Sequence, residues 1–336
     1  MKKAAKYIIL LLSVLLSALL IIFSKDIKGE IVKSITICTK SIIVGLFPFM
    51  CLTLFIIKSG AVALFKQKPA RLFIFSLSMI SGYPIGAKIL NLMYQNKQIT
   101  KEQGSSLIPC LICAGPAFIV NIVGVGIFSS TDIGIRLYIS QVIANLILFA
   151  LNGGFKMQIN RFSCSVKIIP AFTDSIKLSA DAVMNICSYI ILFSAFSSLF
   201  SLIFGNGITK IFLCVFEVTG AVYNSGNLYL TCAVLGWSGV CVMLQVISAA
   251  GDLKVKILPL IVSRFFASVI SCIVLKISFI ICSSSEAVIS NLNSTPAPLI
   301  TDNTAFFVFF IFSAFVYMVS LFNKSSGKIL KDITDQ

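Results

Sequence analysis

The stretch Ser81-Gly82-Tyr83-Pro84-Ile85-Gly86-Ala87-Lys88 interrupts an apolar run that covers residues 72–94. That run has the length of a membrane crossing, which takes about 20 mostly apolar residues. Two glycines and a proline at its centre do not suit a straight helix, because Gly permits tight turning and Pro stops helical hydrogen bonding. If the run crossed the membrane fully, Lys88, Lys97 and Lys101 would fall on the opposite side from Lys58, Lys66, Lys68 and Arg71. A re-entrant hairpin with residues 81–86 at its tip keeps all of them on one side, as the positive-inside rule asks. The hairpin is therefore the expectation, and it implies a polytopic membrane protein with broken helices.

Composition agrees. Of 336 residues, 58% are hydrophobic and 12% charged, against about 25% charged in an ordinary soluble domain. A soluble fold could not cover that much apolar surface with polar groups. Lipid admits helices and closed barrels, and these long apolar runs do not alternate as barrel strands do. The net charge of +15 does not point to nucleic acid. The 27 basic residues are spread over short loops, and only Arg71, Arg136, Arg161 and Arg264 are arginine. Most of the eleven cysteines lie in apolar runs, where Cys is a small hydrophobe. Cys110 and Cys113 form a CxxC, but with no second pair and no His no metal site is expected.

Working outward in both directions gives an all-α fold of about eight transmembrane helices plus two re-entrant hairpins. Spans are expected near residues 7–23, 41–57, 107–128, 133–151, 184–204, 228–249, 257–281 and 304–322. The distribution of lysines places both termini in the cytoplasm of a bacterial cell. The second hairpin covers 208–227, which holds Glu217, Gly220, Asn224, Ser225, Gly226 and Asn227. Helix breaks are expected at Gly115-Pro116 and within Gly236-Trp237-Ser238-Gly239. Residues 174–185 read as an amphipathic helix, on which Asp174 and Lys177 can pair three residues apart or stay solvated.

Two segments echo one another. Gly115 is followed by Asn121 and Gly239 by Gln245, an amide six residues later in each case. The run from Ser140-Gln141 to Ile147 matches the run from Ser263-Arg264 to Ile270. With the expected topology the two halves are inverted repeats, an arrangement of secondary transporters that places the ligand at the repeat interface. The chain divides into an N-terminal helix and external link (1–40), a first repeat (41–152) and a cytoplasmic loop with the amphipathic helix (153–183). A second repeat (184–281) and a final external loop, helix and cytoplasmic tail (282–336) complete it.

The octapeptide at 81–88 is similar to the SGYPxGAK signature of the YlbJ-like sporulation integral membrane proteins. Gly45-Leu46-Phe47-Pro48-Phe49, Gly115-Pro116, Gly124-Val125-Gly126 and Asp174-Ser175-Ile176 resemble the same family. The resemblance covers roughly residues 40–276. It implies two nucleoside-recognition or Gate domains, similar to those of concentrative nucleoside transporters and spore maturation membrane proteins. It also implies a part in building the spore cortex.

The function expected is a secondary transporter or permease for a small polar solute, nucleoside-like among the choices. The alternative is a non-transporting scaffold or partner in a sporulation complex. Solute contacts are expected from Ser81, Gly82, Tyr83, Pro84, Gly86, Asn121, Glu217, Asn224 and Gln245. Glu217, an ionisable group in an apolar run, is a functional candidate by default. It binds a coupling cation or a solute hydroxyl, unless it sits wet at the outer interface. Asn121 and Gln245 hydrogen-bond solute, or only hold helices together. Arg264 pairs with Glu217 or Asp252, or snorkels. The partners expected are the lipid bilayer and the solute, with a coupling cation and a homo-oligomer left open and no nucleic acid. No cofactor is expected. Without His, HExxH or paired midplane carboxylates, the chain is not expected to be an enzyme.

Overall fold

The computed structural model describes residues 2–160 and 167–281, and every regular element among them is helical. The expected last span at 304–322, the stretch 282–303 with Glu286 and Asp302, the tail lysines Lys324, Lys328 and Lys331, and Arg161 lie outside the described residues.

Helix α1 (Lys2–Ile22) leads into one helical column, Ser24–Lys58, made of α2 (Ser24–Ile37), a π-wound stretch (Cys38–Ile43) and α3 (Val44–Lys58). The link expected before residue 41 is thus helical. One buried stripe explains why: Ile27, Ser34, Cys38, Ile42, Leu46 and Met50 recur every seven or four residues. Next come α4 (Gln67–Ser81), α5 (Ile85–Gln95) and α6 (Lys101–Leu107), the last opened by a capping box between Thr100 and Gln103. A 3-10 turn (Ile108–Cys110), a break and a π-wound helix (Ala117–Ile127) lead to α7 (Thr131–Leu151).

Helix α8 (Ile168–Phe216) bends at Gly205, whose φ of 77° and ψ of 169° suit Gly alone. The amphipathic segment and the span expected from 174 to 204 form one continuous helix up to that bend. Asp174 pairs with Lys58 of α3 at 2.8 Å, so the long helix is tied to the first column at that level. Then follow α9 (Val218–Ser225), α10 (Leu228–Trp237), α11 (Gly239–Ala250) and α12 (Ile257–Ile281).

Five stretches among the described residues are long and apolar enough to cross a membrane: Ser24–Lys58, Thr131–Leu151, Ile168–Gly205, Leu228–Ala250 and Ile257–Ile281. The span expected at 107–128 is not one helix, because the chain leaves helical geometry over 111–115. Side-chain burial runs opposite to that of a soluble protein. On α12, Leu258, Phe265, Ile273 and Ile280 face outward, while Arg264 and Ser271 are buried. On α7, Ile135, Ile139 and Ile143 are exposed, while Ser140, Gln141 and Asn145 are buried. Apolar outside and polar inside is what a lipid solvent selects. The chain is a polytopic, all-α membrane protein.

Packing uses small residues where helices cross. A Cβ on Gly124 would stand 2.5 Å from Gly134 Cα, and one on Gly236 would stand 2.5 Å from Ser268 Cα. Such crossings bring helices together by close van der Waals contact, the main attraction available inside lipid. Helix α7 lies against α12, α3 against α8, and α5 against α11. The turn after α11 is tied to α5: Asn91 Oδ1 accepts from Asp252 N at 3.1 Å, and Gln95 Nε2 donates to Asp252 Oδ2 at 2.8 Å.

Candidate functional site

Two backbone breaks meet in the interior. The first begins where α4 stops at Ser81. Gly82 follows with φ 75° and ψ 172°, the Tyr83–Pro84 bond is cis, and α5 starts at Ile85. This tip is fastened to the break at 111–115, because Tyr83 N donates to Cys113 O at 2.8 Å. Gly82 is needed there: a Cβ would lie 2.9 Å from Gly115 N. Pro116 then opens the π-wound helix, a position where its missing N–H leaves no bond unmade.

The second break begins at Glu217, between the end of α8 and α9. Its backbone is extended (φ −138°, ψ 112°), and its side chain caps α9. Oε1 accepts from Thr219 N at 2.8 Å, and Oε2 accepts from Gly220 N. A carboxylate at a helix N-terminus meets orphan N–H groups and the positive end of the dipole. The gap between α10 and α11 falls at Ser238 and Gly239, both left-handed (φ 68° and 73°). Gly239 lies against the first part of this break, since a Cβ on it would stand 3.0 Å from Phe216 O. Gly236, expected as a breaker, lies inside α10 and serves the crossing with Ser268.

Both breaks line one small cavity. Gly82, Tyr83 and Gly115 come from the first; Glu217, Thr219 and Gln245 come from the second. Leu46, Phe118, Ile186 and Val242 supply apolar walls. Glu217 and Gln245 are each 2% exposed. Gln245 Nε2 reaches Cys241 Sγ at 3.4 Å, and its Oε1 has no hydrogen-bond partner. The free space is about 20 Å³, room for one water-sized guest.

On its other side Glu217 borders a larger, polar cavity of about 440 Å³, within the range of small-molecule sites. Ser194, Ser197, Ser198 and Ser201 line it from one face of α8, opposite Lys33, Lys210 and Asn224. Glu217 is therefore the residue shared by a vestibule and a closed centre. No sequence expectation singles out the serine row, although its spacing of three, four and seven residues marks a helix face.

Of the residues expected to bind solute, Gly82, Tyr83, Glu217 and Gln245 share the central cavity. Asn224 lies in the vestibule with its Nδ2 on Gly220 O at 2.8 Å. The others serve the frame. Ser81 is fully buried and bonded to Thr53 Oγ1 at 2.5 Å and Leu77 O at 2.8 Å. Gly86 packs on Leu111, Pro84 directly precedes α5, and half-buried Asn121 does not line the central cavity. Among the described residues, no group of three or more His, Cys, Asp or Glu could hold a metal ion.

The chain is similar to the sporulation integral membrane protein YlbJ of Bacillus subtilis (strain 168), at 21% identity over 252 residues. The match covers 60% of this chain and 62% of that protein, so the chain spans less than two thirds of the relative it matches. No family model matches the chain, and no solved structure matches it.

Proposed function

We propose that the chain is a secondary transporter or permease for a small polar solute, nucleoside-like solutes among the candidates, in the membrane of a sporulating bacterium. The observation that carries this reading is Glu217, buried at the meeting of two broken helices and shared by a polar vestibule and a closed centre. Non-helical backbone at membrane depth belongs where it lines a cavity or is buried in protein. An ionisable group there marks a pathway by default.

Two inverted repeats form part of the reading. Their support is the recurring order of elements: long helix, two short helices around a break, broken helix, long helix. This order runs from Ser24 to Leu151 and again from Ile168 to Ile281. Residues at matching positions also reach across in the same way. Gln141 Nε2 donates to Cys232 O on α10 at 3.0 Å. Arg264 donates to Pro109 O and Ile112 O beside the other broken helix. Transport by alternating access rocks one repeat against the other around a fixed central site. The small centre then corresponds to a state closed on that side. Both termini lie in the cytoplasm on this reading, and the chain performs no covalent chemistry.

The test is uptake into proteoliposomes with pooled nucleosides and other small polar solutes. Wild type is expected to show saturable uptake. Glu217→Gln and Gln245→Ala should each lower it by about tenfold or more, the equivalent of one strong polar contact. Asn121→Ala, off the cavity, should leave uptake within about twofold. Equal uptake by wild type and both cavity variants would remove the site assignment. No uptake by folded wild type, together with specific co-purifying membrane proteins, would favour a scaffold in a sporulation complex.

A further inference from the structure

We propose that the cavity between the two breaks binds one small monovalent metal cation, of the size of Na⁺, between the Glu217 carboxylate and Gln245 Oε1. This rests on the transport reading and deepens it by naming the ion that occupies its centre.

Three observations converge. First, Glu217 is 2% exposed, and among the described residues no Lys or Arg nitrogen comes within ion-pair distance of it. Its carboxylate oxygens face backbone N–H groups of α9, so positive charge is supplied there by dipoles. Second, Gln245 Oε1 is an acceptor, on a side chain also 2% exposed, with no donor. Buried oxygens are seldom left in that state, because each has given up its water without a replacement. Third, the space they share is about 20 Å³, enough for one water-sized guest and too small for an organic solute.

A carboxylate and an orphan amide oxygen facing one small space form a hard oxygen donor set. Such a set suits cations that coordinate oxygen rather than sulfur or nitrogen. The cluster of three carboxylate, thiol or imidazole groups that a transition metal would want is missing among the described residues. A single carboxylate balances a single charge, which selects a monovalent ion over Ca²⁺ or Mg²⁺. The breaks themselves contribute to the lining, at Gly82, Tyr83, Ala114 and Gly115. An ion held there would couple the two breaks, and with them the two halves of the chain.

The experiment is thermal unfolding of the full-length protein in detergent, in NaCl, KCl or choline chloride at matched ionic strength. A ligand that binds the folded state raises the melting temperature with the logarithm of its concentration. NaCl at about 0.1 M is expected to raise the midpoint by roughly 3 °C or more over choline chloride, with KCl weaker. Glu217→Gln and Gln245→Leu should lose the Na⁺ response, whatever their own midpoints in choline chloride. If a variant fails to fold, equilibrium binding of radioactive sodium to wild type decides: one ion per chain sustains the proposal, and none overturns it. Equal midpoints in all three salts would overturn it, leaving the cavity to a water. So would a Na⁺ response that persists in Gln245→Leu. A pH response lost in Glu217→Gln, with no preference among the salts, would assign a proton and overturn it too. Binding is read without uptake. A chain that binds Na⁺ and carries no tested solute would sustain this inference and count against the transport reading alone.

Discussion

Replacing Arg264 with alanine is expected to destabilise the protein by on the order of 4 kcal/mol, read as a lower unfolding midpoint in detergent. Arg264 sits on α12 and is fully buried. Neither partner anticipated for it, Glu217 or Asp252, is in contact, and its side chain does not snorkel. It donates instead to Ile112 O at 2.7 Å, Pro109 O at 2.5 Å and Asn145 Oδ1 at 2.8 Å. The two carbonyls lie at and just beyond the 3-10 turn that follows α6, where helical carbonyls lack partners and the dipole is negative. The cation is thus met by backbone rather than by a carboxylate.

Truncation removes the donor from three buried oxygens, at about 1–3 kcal/mol each, and opens a void where the largest fully buried side chain stood. Relief from burying a charge offsets part of this. Arg264 Nε has no partner, so that relief is real. Three orphaned acceptors and a void still outweigh it. Arg264→Gln copies Gln141 at the matching position and keeps two donors, so it should cost about half as much. In a double-mutant cycle, Arg264→Ala and Asn145→Ala should couple by about 1–3 kcal/mol, because they share one bond. Wild-type stability in Arg264→Ala would show that the contacts carry no net weight.

Much of the architecture is legible in the sequence because Gly and Pro act through the backbone. The break at residues 81–86 is visible since no helix accommodates Gly-Tyr-Pro without one, whatever surrounds it. Glu217 is visible as a cost that lipid would not tolerate without a role. Its capping of α9 is not, because a cap is recognised only once the helix start is known. Within Gly236-Trp237-Ser238-Gly239, residue type does not say which glycine breaks the helix. Gly239 takes a positive φ, whereas Gly236 stays helical and makes room for Ser268.

Asn121 shows a further limit. It stands six residues past Gly115, as Gln245 does past Gly239. The segment Ala117–Ile127 is π-wound and α11 is not, so equal spacing leads to different faces. Arg264 is opaque for another reason: two of its partners are carbonyls more than a hundred residues away, and a carbonyl has no signature in sequence.

Gly86→Ala is the second change with a large expected effect, and here two physical rules oppose each other. Gly86 lies in the first turn of α5, and its φ is not in the left-handed region. Helix propensity alone would make alanine stabilising by about 1 kcal/mol. Close packing reverses the sign. A Cβ at this position would overlap Leu111 O and stand 2.8 Å from Leu111 Cβ. The first of these is backbone, which cannot swing aside as a side-chain end can. Interiors packed this closely transmit such a displacement rather than absorb it. Leu111 begins the break that holds Tyr83 N on Cys113 O, so pushing it away also shifts the wall of the central cavity. The net expectation is a loss of about 3 kcal/mol, overpacking minus propensity, with uptake and the sodium response falling together. Gly226→Ala is the comparison. Gly226 caps α9 with φ 57° and has nothing within 4 Å of an added Cβ, so it should lose only about 1–2 kcal/mol to backbone strain. If the two variants melted alike, conformational freedom rather than contact with Leu111 would be what Gly86 supplies, and the octapeptide would be a turn motif instead of a packing one.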